Sequence, residues 1–147
     1  MMYDRGQFIN SRRGRQLLRF DGMIPQREDL CSITPTDIDA VIDVRNRMLI
    51  LFEAKYNGKE VPQGQKKALE RLVDDAKSAG KNAIAIVCDH NVEDVNKDVF
   101  LKDVFLKDAI AREVYETEHQ EWRPMKRNGM TAKELADFYI RTYYRER

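Results

Sequence analysis

Two short runs of alternating hydrophobicity, separated by a three-residue polar break, constrain this chain more than any other feature. From Asp37 to Val44, the residues Ile38, Ala40, Ile42 and Val44 fall on one face, and Asp37, Asp39, Val41 and Asp43 fall on the other. From Met48 to Lys55, Ile50, Phe52 and Ala54 alternate with Leu49, Leu51, Glu53 and Lys55. A period of two marks a strand, because successive side chains leave opposite faces of the pleat. The break, Arg45-Asn46-Arg47, is short enough for a hairpin loop in which Asn46 or Arg47 takes up a left-handed backbone.

The segment that follows reads as a crossover. Gly58 to Val61 is a polar connection closed by Pro62, which suits the start of a helix. From Gln63 to Ala79 the residues Ala68, Leu69, Leu72, Val73 and Ala76 recur at helical spacing, and Gly80 stands where a helix is capped. Ala83 to Cys88 is wholly apolar, the pattern of a strand buried on both faces. Because it follows a helical crossover, this strand is expected to run parallel to a partner in the same sheet. The order strand, hairpin, strand, helix, strand predicts an α/β fold: a mixed central β-sheet flanked by helices. It is expected as a single domain over 1–147, with a core at about 15–90 and a C-terminal extension over 91–147.

The flanks carry weaker signals. Gln16 to Phe20 reads as a further strand before the Asp21-Gly22 turn, and Ile110 to Glu116 with Glu121 to Arg123 reads as an edge hairpin. Thr131 followed by Glu134 is a capping box, and Leu135, Phe138, Tyr139 and Thr142 give the helix after it a mostly apolar stripe. The pentapeptide Val-Phe-Leu-Lys-Asp occurs twice in tandem, at 99–103 and 104–108, with a period that suits neither helix nor strand.

Composition excludes several classes. With 42% hydrophobic and 35% charged residues, the 147-residue chain is neither low-complexity nor an acidic disordered protein. Its longest apolar runs, Met48 to Phe52 and Ala83 to Cys88, fall far short of the roughly 18–20 residues of a membrane span, and no apolar leader precedes the basic N-terminal stretch. Cys31 and Cys88 are too few for a disulfide framework or a zinc cage. The expectation is a cytoplasmic chain with reduced thiols. The net charge of +1 conceals a segregation: residues 1–20 carry five arginines against Asp4, and residues 122–147 carry seven basic against three acidic side chains. Residues 89–121, by contrast, carry four basic and ten acidic. Clustered Lys and Arg rather than net charge make phosphate contacts, so Arg12, Arg13, Arg15, Lys126 and Arg127 are candidates for holding a polyanion.

Folding the hairpin about Asn46 sets Val44 opposite Met48, Ile42 opposite Ile50 and Asp39 opposite Glu53, with Lys55 on the same face two residues on. Opposed side chains have Cβ atoms about 4.5–5.5 Å apart. Two carboxylates at about 5 Å repel by about 3 kcal/mol at an effective dielectric near 20. One lysine offsets part of that, and a divalent cation offsets much more. Oxygen ligands select a hard metal, Mg²⁺ or Mn²⁺, and such an ion polarises a phosphodiester and lowers the pKa of a bound water. Lys55 is then placed to orient that water or to steady charge on the phosphorane.

These residues resemble the PD-(D/E)xK nuclease superfamily, and most of all its small VRR-type and Holliday-junction-resolvase-like members, often found in phages. The resemblance rests on Thr36-Asp37-Ile38-Asp39, Phe52-Glu53-Ala54-Lys55 and a helix opening Gln63-Gly64-Gln65, and it covers about Ile33 to Asp89. It implies a restriction-endonuclease-like core in which Asp39 and Glu53 bind metal, the Ala54 carbonyl adds a backbone ligand, and Lys55 is the catalytic lysine. Gln65 matches the glutamine that many members carry on the next helix. The literal Pro-Asp pair is absent, since Pro35 stands two residues before Asp37. Many members also place an upstream acid near the metal; Glu28 is the candidate, with Asp37 as a possible helper. The implied activity is that of a Mg²⁺- or Mn²⁺-dependent deoxyribonuclease, an endonuclease rather than an exonuclease. It would act on DNA in phage-type recombination, repair or replication processing, as a possible homodimer in the host cytoplasm.

Other readings stay open. The alternative is a non-catalytic nucleic-acid-binding module of the same fold, with the acidic cluster structural. A third is a protein-interaction subunit using the repeated pentapeptide. Trp122 beside Arg123 and Lys126 suits either base stacking or anchoring of the edge hairpin. His90 follows the buried strand, and His119 stands in an acidic stretch without a partner that spacing suggests. Tyr139, Tyr143 and Tyr144 suit packing or a dimer contact.

Overall fold

A computed structural model describes residues 2–4, 7–9, 29, 38–92, 104–125 and 129–144. The chain divides into two compact units, Met1–Pro35 with Glu93–Lys102, and Thr36–Val92 with Asp103–Arg147. In the first, β1 (Met2–Asp4) and β2 (Gln7–Ile9) form an antiparallel pair. The expected strand at 16–20 lies outside the described residues.

The second unit is a mixed five-stranded sheet with helices, ordered β3-β4-β5-β6-β7. Its strands are β3 (Ala40–Val44), β4 (Met48–Tyr56), β5 (Asn82–His90), β6 (Ile110–Glu116) and β7 (Glu121–Pro124). The hairpin closes in the expected register, with Ala40 opposite Phe52, Ile42 opposite Ile50 and Val44 opposite Met48. The left-handed residues are Arg45 (φ 49°) and Asn46 (φ 60°) rather than Asn46 or Arg47. Positive φ at both central positions is the turn whose twist matches the flanking strands. Arg47 N–H closes it on the Val44 carbonyl at 3.0 Å, and Asp43 Oδ1 accepts from Asn46 N–H at 2.8 Å.

Helix α1 (Gln63–Ser78) begins after Pro62 and carries the chain to β5, which lies parallel to β4 with Glu53 beside Val87 and Lys55 beside Asp89. All six residues from Ala83 to Cys88 are buried, as a strand between two helical layers requires. On one face, Leu69, Val73 and Ala76 of α1 pack on Leu51, Ala83, Ala85 and Tyr115. On the other, α2 (Ala132–Tyr143) sets Ala132, Leu135, Ala136 and Tyr139 against Met48, Ile50, Phe52, Ile84, Ile86 and Cys88. Thr131 and Glu134 form the expected capping box. The strands β6 and β7, from the region expected as an extension, complete the same sheet and core.

Several details depart from the expected pattern. The first ladder pair of β3 is Ala40, with Asp39 at a bend, and Ile38 packs with Leu49 in the α1 layer while Ala40 packs in the α2 layer. The bend ends the pleat, so the alternation does not carry back to Ile38. Leu72 is 39% exposed and Phe138 58% exposed, because each helix covers the sheet with a narrower stripe than its apolar residues would fill. The second copy of the pentapeptide includes a 3-10 turn at Leu106–Asp108; the first lies outside the described residues.

A side-chain tie joins α1 to β6: Tyr115 donates to Asp74 Oδ1 at 3.0 Å, and Thr117 donates to the same oxygen at 2.9 Å. Burial, and then the hydrogen bond and charge of Asp74, push the Tyr115 phenol from 10.0 up to about 12.

Two outcomes follow from this packing. Leu69→Ala should lower unfolding stability by about 2–5 kcal/mol, whereas Leu72→Ala should cost no more than about 0.5 kcal/mol, measured by urea denaturation. In the unfolded chain the phenol ionises near 10.0 and in the native protein near 12. Its stabilising contribution is therefore complete below pH 10 and is lost as pH rises toward 12. The urea midpoint of Tyr115→Phe should decline less steeply over that range than that of the wild type.

Candidate functional site

Glu53 is the single charged residue that is fully buried among the described residues, at 2% exposure. It lies on β4 where the apolar run ends, on the face covered by α1. A buried carboxylate is retained in ionised form when donors replace its lost hydration. Here Gln65 Nε2 donates to Glu53 Oε1 at 2.8 Å, and Lys55 Nζ lies 3.3 Å from the same oxygen. Both follow from local geometry. Lys55 is two residues along the strand and so on the same face, while Gln65 is one turn before Leu69 and shares its inward side. Glu53 Oε2 is likewise sealed from solvent.

Asp39 reaches the same strand from the hairpin's other arm. Its side chain is exposed, and Oδ2 accepts the Ala54 backbone N–H at 2.7 Å, closing the end of the ladder beyond Ala40. Asp39, Glu53, Ala54, Lys55 and Gln65 thus meet at one end of the sheet. The Cys88 thiol, ladder neighbour of Ala54, lies 3.7 Å from the Glu53 carbonyl. Burial first, and then the negative charges of Asp39, Asp89 and Glu53, push it from 9.0 up to about 12, with Arg112 opposing.

Asp89 is a constituent that sequence reasoning missed. Its Oδ1 accepts from Arg112 Nη1 at 3.0 Å and from Gly58 N–H at 3.2 Å. Arg112 Nη2 donates in turn to the Lys59 carbonyl at 2.9 Å, and Asn57 N–H bonds the His90 carbonyl at 2.8 Å. These bonds pin the turn after β4, where Asn57 (φ 45°) and Gly58 (φ 82°) are both left-handed. The signal that could have found Asp89 is its position as the first charged residue after Ala83–Cys88. That is the carboxyl end of a parallel strand, where open α/β sheets place their ligands. Arg112 carries no comparable signal.

The remaining candidates divide plainly. Glu28, Asp37, Arg12, Arg13, Arg15, Lys126 and Arg127 lie outside the described residues. Trp122 anchors the edge hairpin: its ring lies 5.6 Å from that of Tyr115, with Lys66 Nζ 5.2 Å away, and it packs into the α1 layer. His119 does have partners, Arg123 Nη1 at 2.6 Å and Glu116 Oε2 at 3.7 Å, which the β6–β7 turn brings round to it. Tyr139 is buried and donates to the Ala83 carbonyl at 3.1 Å.

The donor set bears on which ion fits. Asp39, Glu53 and the Ala54 carbonyl are all oxygen donors, the hard ligands of Mg²⁺ and Mn²⁺. No group of three or more His, Cys, Asp or Glu side chains suited to a metal occurs among the described residues. Mg²⁺, which keeps several waters and uses one or two carboxylates, is compatible with so sparse a set; a structural zinc is not. Among the described residues no helix is long and apolar enough to cross a membrane. Comparison of the chain with family models, curated proteins and solved structures finds no match.

The Asp39–Ala54 bond yields a direct test. Asp39→Ala should lower stability by about 1–2 kcal/mol, and Asp39→Asn, which keeps an acceptor oxygen, by less than half of that, as read from urea midpoints.

Proposed function

We propose that this protein is a metal-dependent nuclease that hydrolyses DNA phosphodiester bonds, with a restriction-endonuclease-like core. The observation that carries the reading is the buried Glu53 held by Gln65 and Lys55, with a second carboxylate, Asp39, bonded to the backbone N–H of the next residue, Ala54. Replacing a buried ion pair by apolar residues of similar volume is often neutral or stabilising, so such a pair is weakly explained by stability. A fold that retains this one at the carboxyl end of a parallel strand points to use of the carboxylate in chemistry.

Asp39, Glu53 and the Ala54 carbonyl would hold the ion, which supplies Lewis acidity toward the phosphodiester. Gln65 fixes the orientation of Glu53 through its hydrogen bond to Oε1. The Lys55 ammonium, 21% exposed and 3.3 Å from Glu53, faces both the buried carboxylate and solvent. From there it stabilises negative charge as it develops on the phosphoryl oxygens. The Asp89–Arg112 pair secures the loop that leads from Lys55 into the helix bearing Gln65.

The test is a panel of labelled DNAs, single-stranded, duplex, flapped and four-way, incubated with Mg²⁺ or Mn²⁺ and with EDTA. Cleavage is expected with metal and absent with chelator. Lys55→Ala should slow it by about 100-fold or more and lower the melting temperature, because a group facing the buried Glu53 is lost, while the circular dichroism spectrum at about 25 °C stays that of the wild type. Wild-type protein inert on every substrate in both metals overturns the reading. DNA binding that EDTA leaves unchanged, without cleavage, would favour a non-catalytic binding module.

A further inference from the structure

Beside the proposed catalytic residues lies a groove of about 760 Å³, lined by Asn57, Asp89, His90, Asn91 and Phe105 together with residues 108–110. It opens at the carboxyl ends of β4 and β5. Asp89, which lines it, is the ladder partner of Lys55, so groove and catalytic strand share a wall.

Its chemistry is mixed in a particular way. Phe105 is 52% exposed, a large apolar ring that the core leaves uncovered. His90 stands with its ring 5.8 Å from that of Tyr56, itself 38% exposed. The carboxamides of Asn57 and Asn91 each offer both donors and an acceptor. Flat rings with amide donors and acceptors recognise a planar heterocycle bearing hydrogen-bonding edges. Asp108 in the same wall disfavours a phosphate inside the groove, the Asp89 carboxylate being already paired with Arg112, while an uncharged base remains acceptable. The exposed Lys59 and Lys107 stand on the two segments that bound the groove, where a backbone phosphate outside it would pass.

We propose that the groove accepts an unstacked nucleobase, so that the preferred substrate is single-stranded or frayed DNA rather than continuous duplex. The inference rests on the nuclease reading for the chemistry next door. A base paired within a duplex presents neither face to Phe105; a single-stranded base presents both, and stacking on an aromatic side chain tolerates any sequence.

The test separates binding from cleavage. Fluorescence anisotropy with labelled dT12 and with a blunt 12-base-pair duplex, at fixed salt and with Ca²⁺ in place of Mg²⁺, should show dT12 bound at least about tenfold more tightly. Phe105→Ala should weaken dT12 binding about five- to twentyfold and duplex binding less than twofold, and Phe105→Trp should restore it. Because Phe105 is half exposed, neither variant should disturb the fold. Equal affinity for the two DNAs, no binding of either, or dT12 affinity indifferent to Phe105→Ala overturns the inference. Cleavage of duplex with that indifference leaves the nuclease reading standing. A Phe105-dependent preference for dT12 in a protein that cleaves nothing upholds the groove assignment and removes the nuclease reading instead.

Discussion

A carboxylate at 2% exposure has exchanged its hydration for whatever the protein provides, and at Glu53 the provision includes an amide and an ammonium at Oε1. Each of these donors is placed by something larger. Lys55 is where it is because β4 stays pleated for two more residues. Gln65 is where it is because Leu69, Val73 and Ala76 seat α1 on the sheet. The site is therefore a consequence of how the α1 layer packs, and a displacement of the helix by even an ångström would draw the Gln65 amide away from the buried carboxylate. Such dependence ties the geometry of the site to the core at this end of the sheet.

The same dependence explains what was legible beforehand. Alternation on both sides of Asn46 defines the strands, and a short loop leaves little freedom in register, so the pairing of Ile42 with Ile50 and Val44 with Met48 is readable. The crossover to a parallel β5 is readable from the uninterrupted run Ala83–Cys88. So are the shared face of Glu53 and Lys55 and the inward face of Gln65, from period two and period 3.6, while the place of Gln65 in the site is what the resemblance implies. The bend at Asp39 is not. It depends on the aspartate oxygen capturing Ala54 N–H across the sheet, and an alternating pattern gives no notice of where a ladder stops. Leu72 and Phe138 look buried in a helical wheel, yet the width of a stripe is decided by the partner surface. Arg112 meets Asp89 across a sequence separation of 23, next to a register shift between Val87 and Cys88. A bulge of that kind re-aims a side chain in a way that no periodicity records.

Polar function and apolar structure divide cleanly along the strands. Toward the amino end of β4 and β5, Met48, Ile50, Ile84 and Leu51 are sealed between helices. Toward the carboxyl end the same two strands carry Glu53, Lys55, Asp89 and His90, and the turn that leaves β4 is joined to β5 by hydrogen bonds from Asn57 N–H and Gly58 N–H and to β6 by the one from Arg112 to the Lys59 carbonyl. Stiffening that turn matters because it is the only covalent path from Lys55 to Gln65. A loose connection there would let strand and helix carry their donors independently, and Glu53 would be held by neither at full strength.

Electrostatics then bears on how a nuclease of this shape would have to work. Asp39, Glu53 and Asp89 surround Cys88 closely enough to act on its thiol, and the cations among them are Lys55 and Arg112. Three carboxylates against two cations leave the wall negative, and Arg112 is already engaged by Asp89. A phosphodiester approaching it meets repulsion that Lys55 alone does not cancel. Under the proposed function, Asp39 and Glu53 would hold a divalent ion whose charge would offset this repulsion, so metal dependence would be a requirement of binding as much as of bond cleavage. The groove beside Asp89 fits this logic: as proposed, it would take the uncharged part of the nucleotide on its acidic side and leave the charged part to the ion and the lysine.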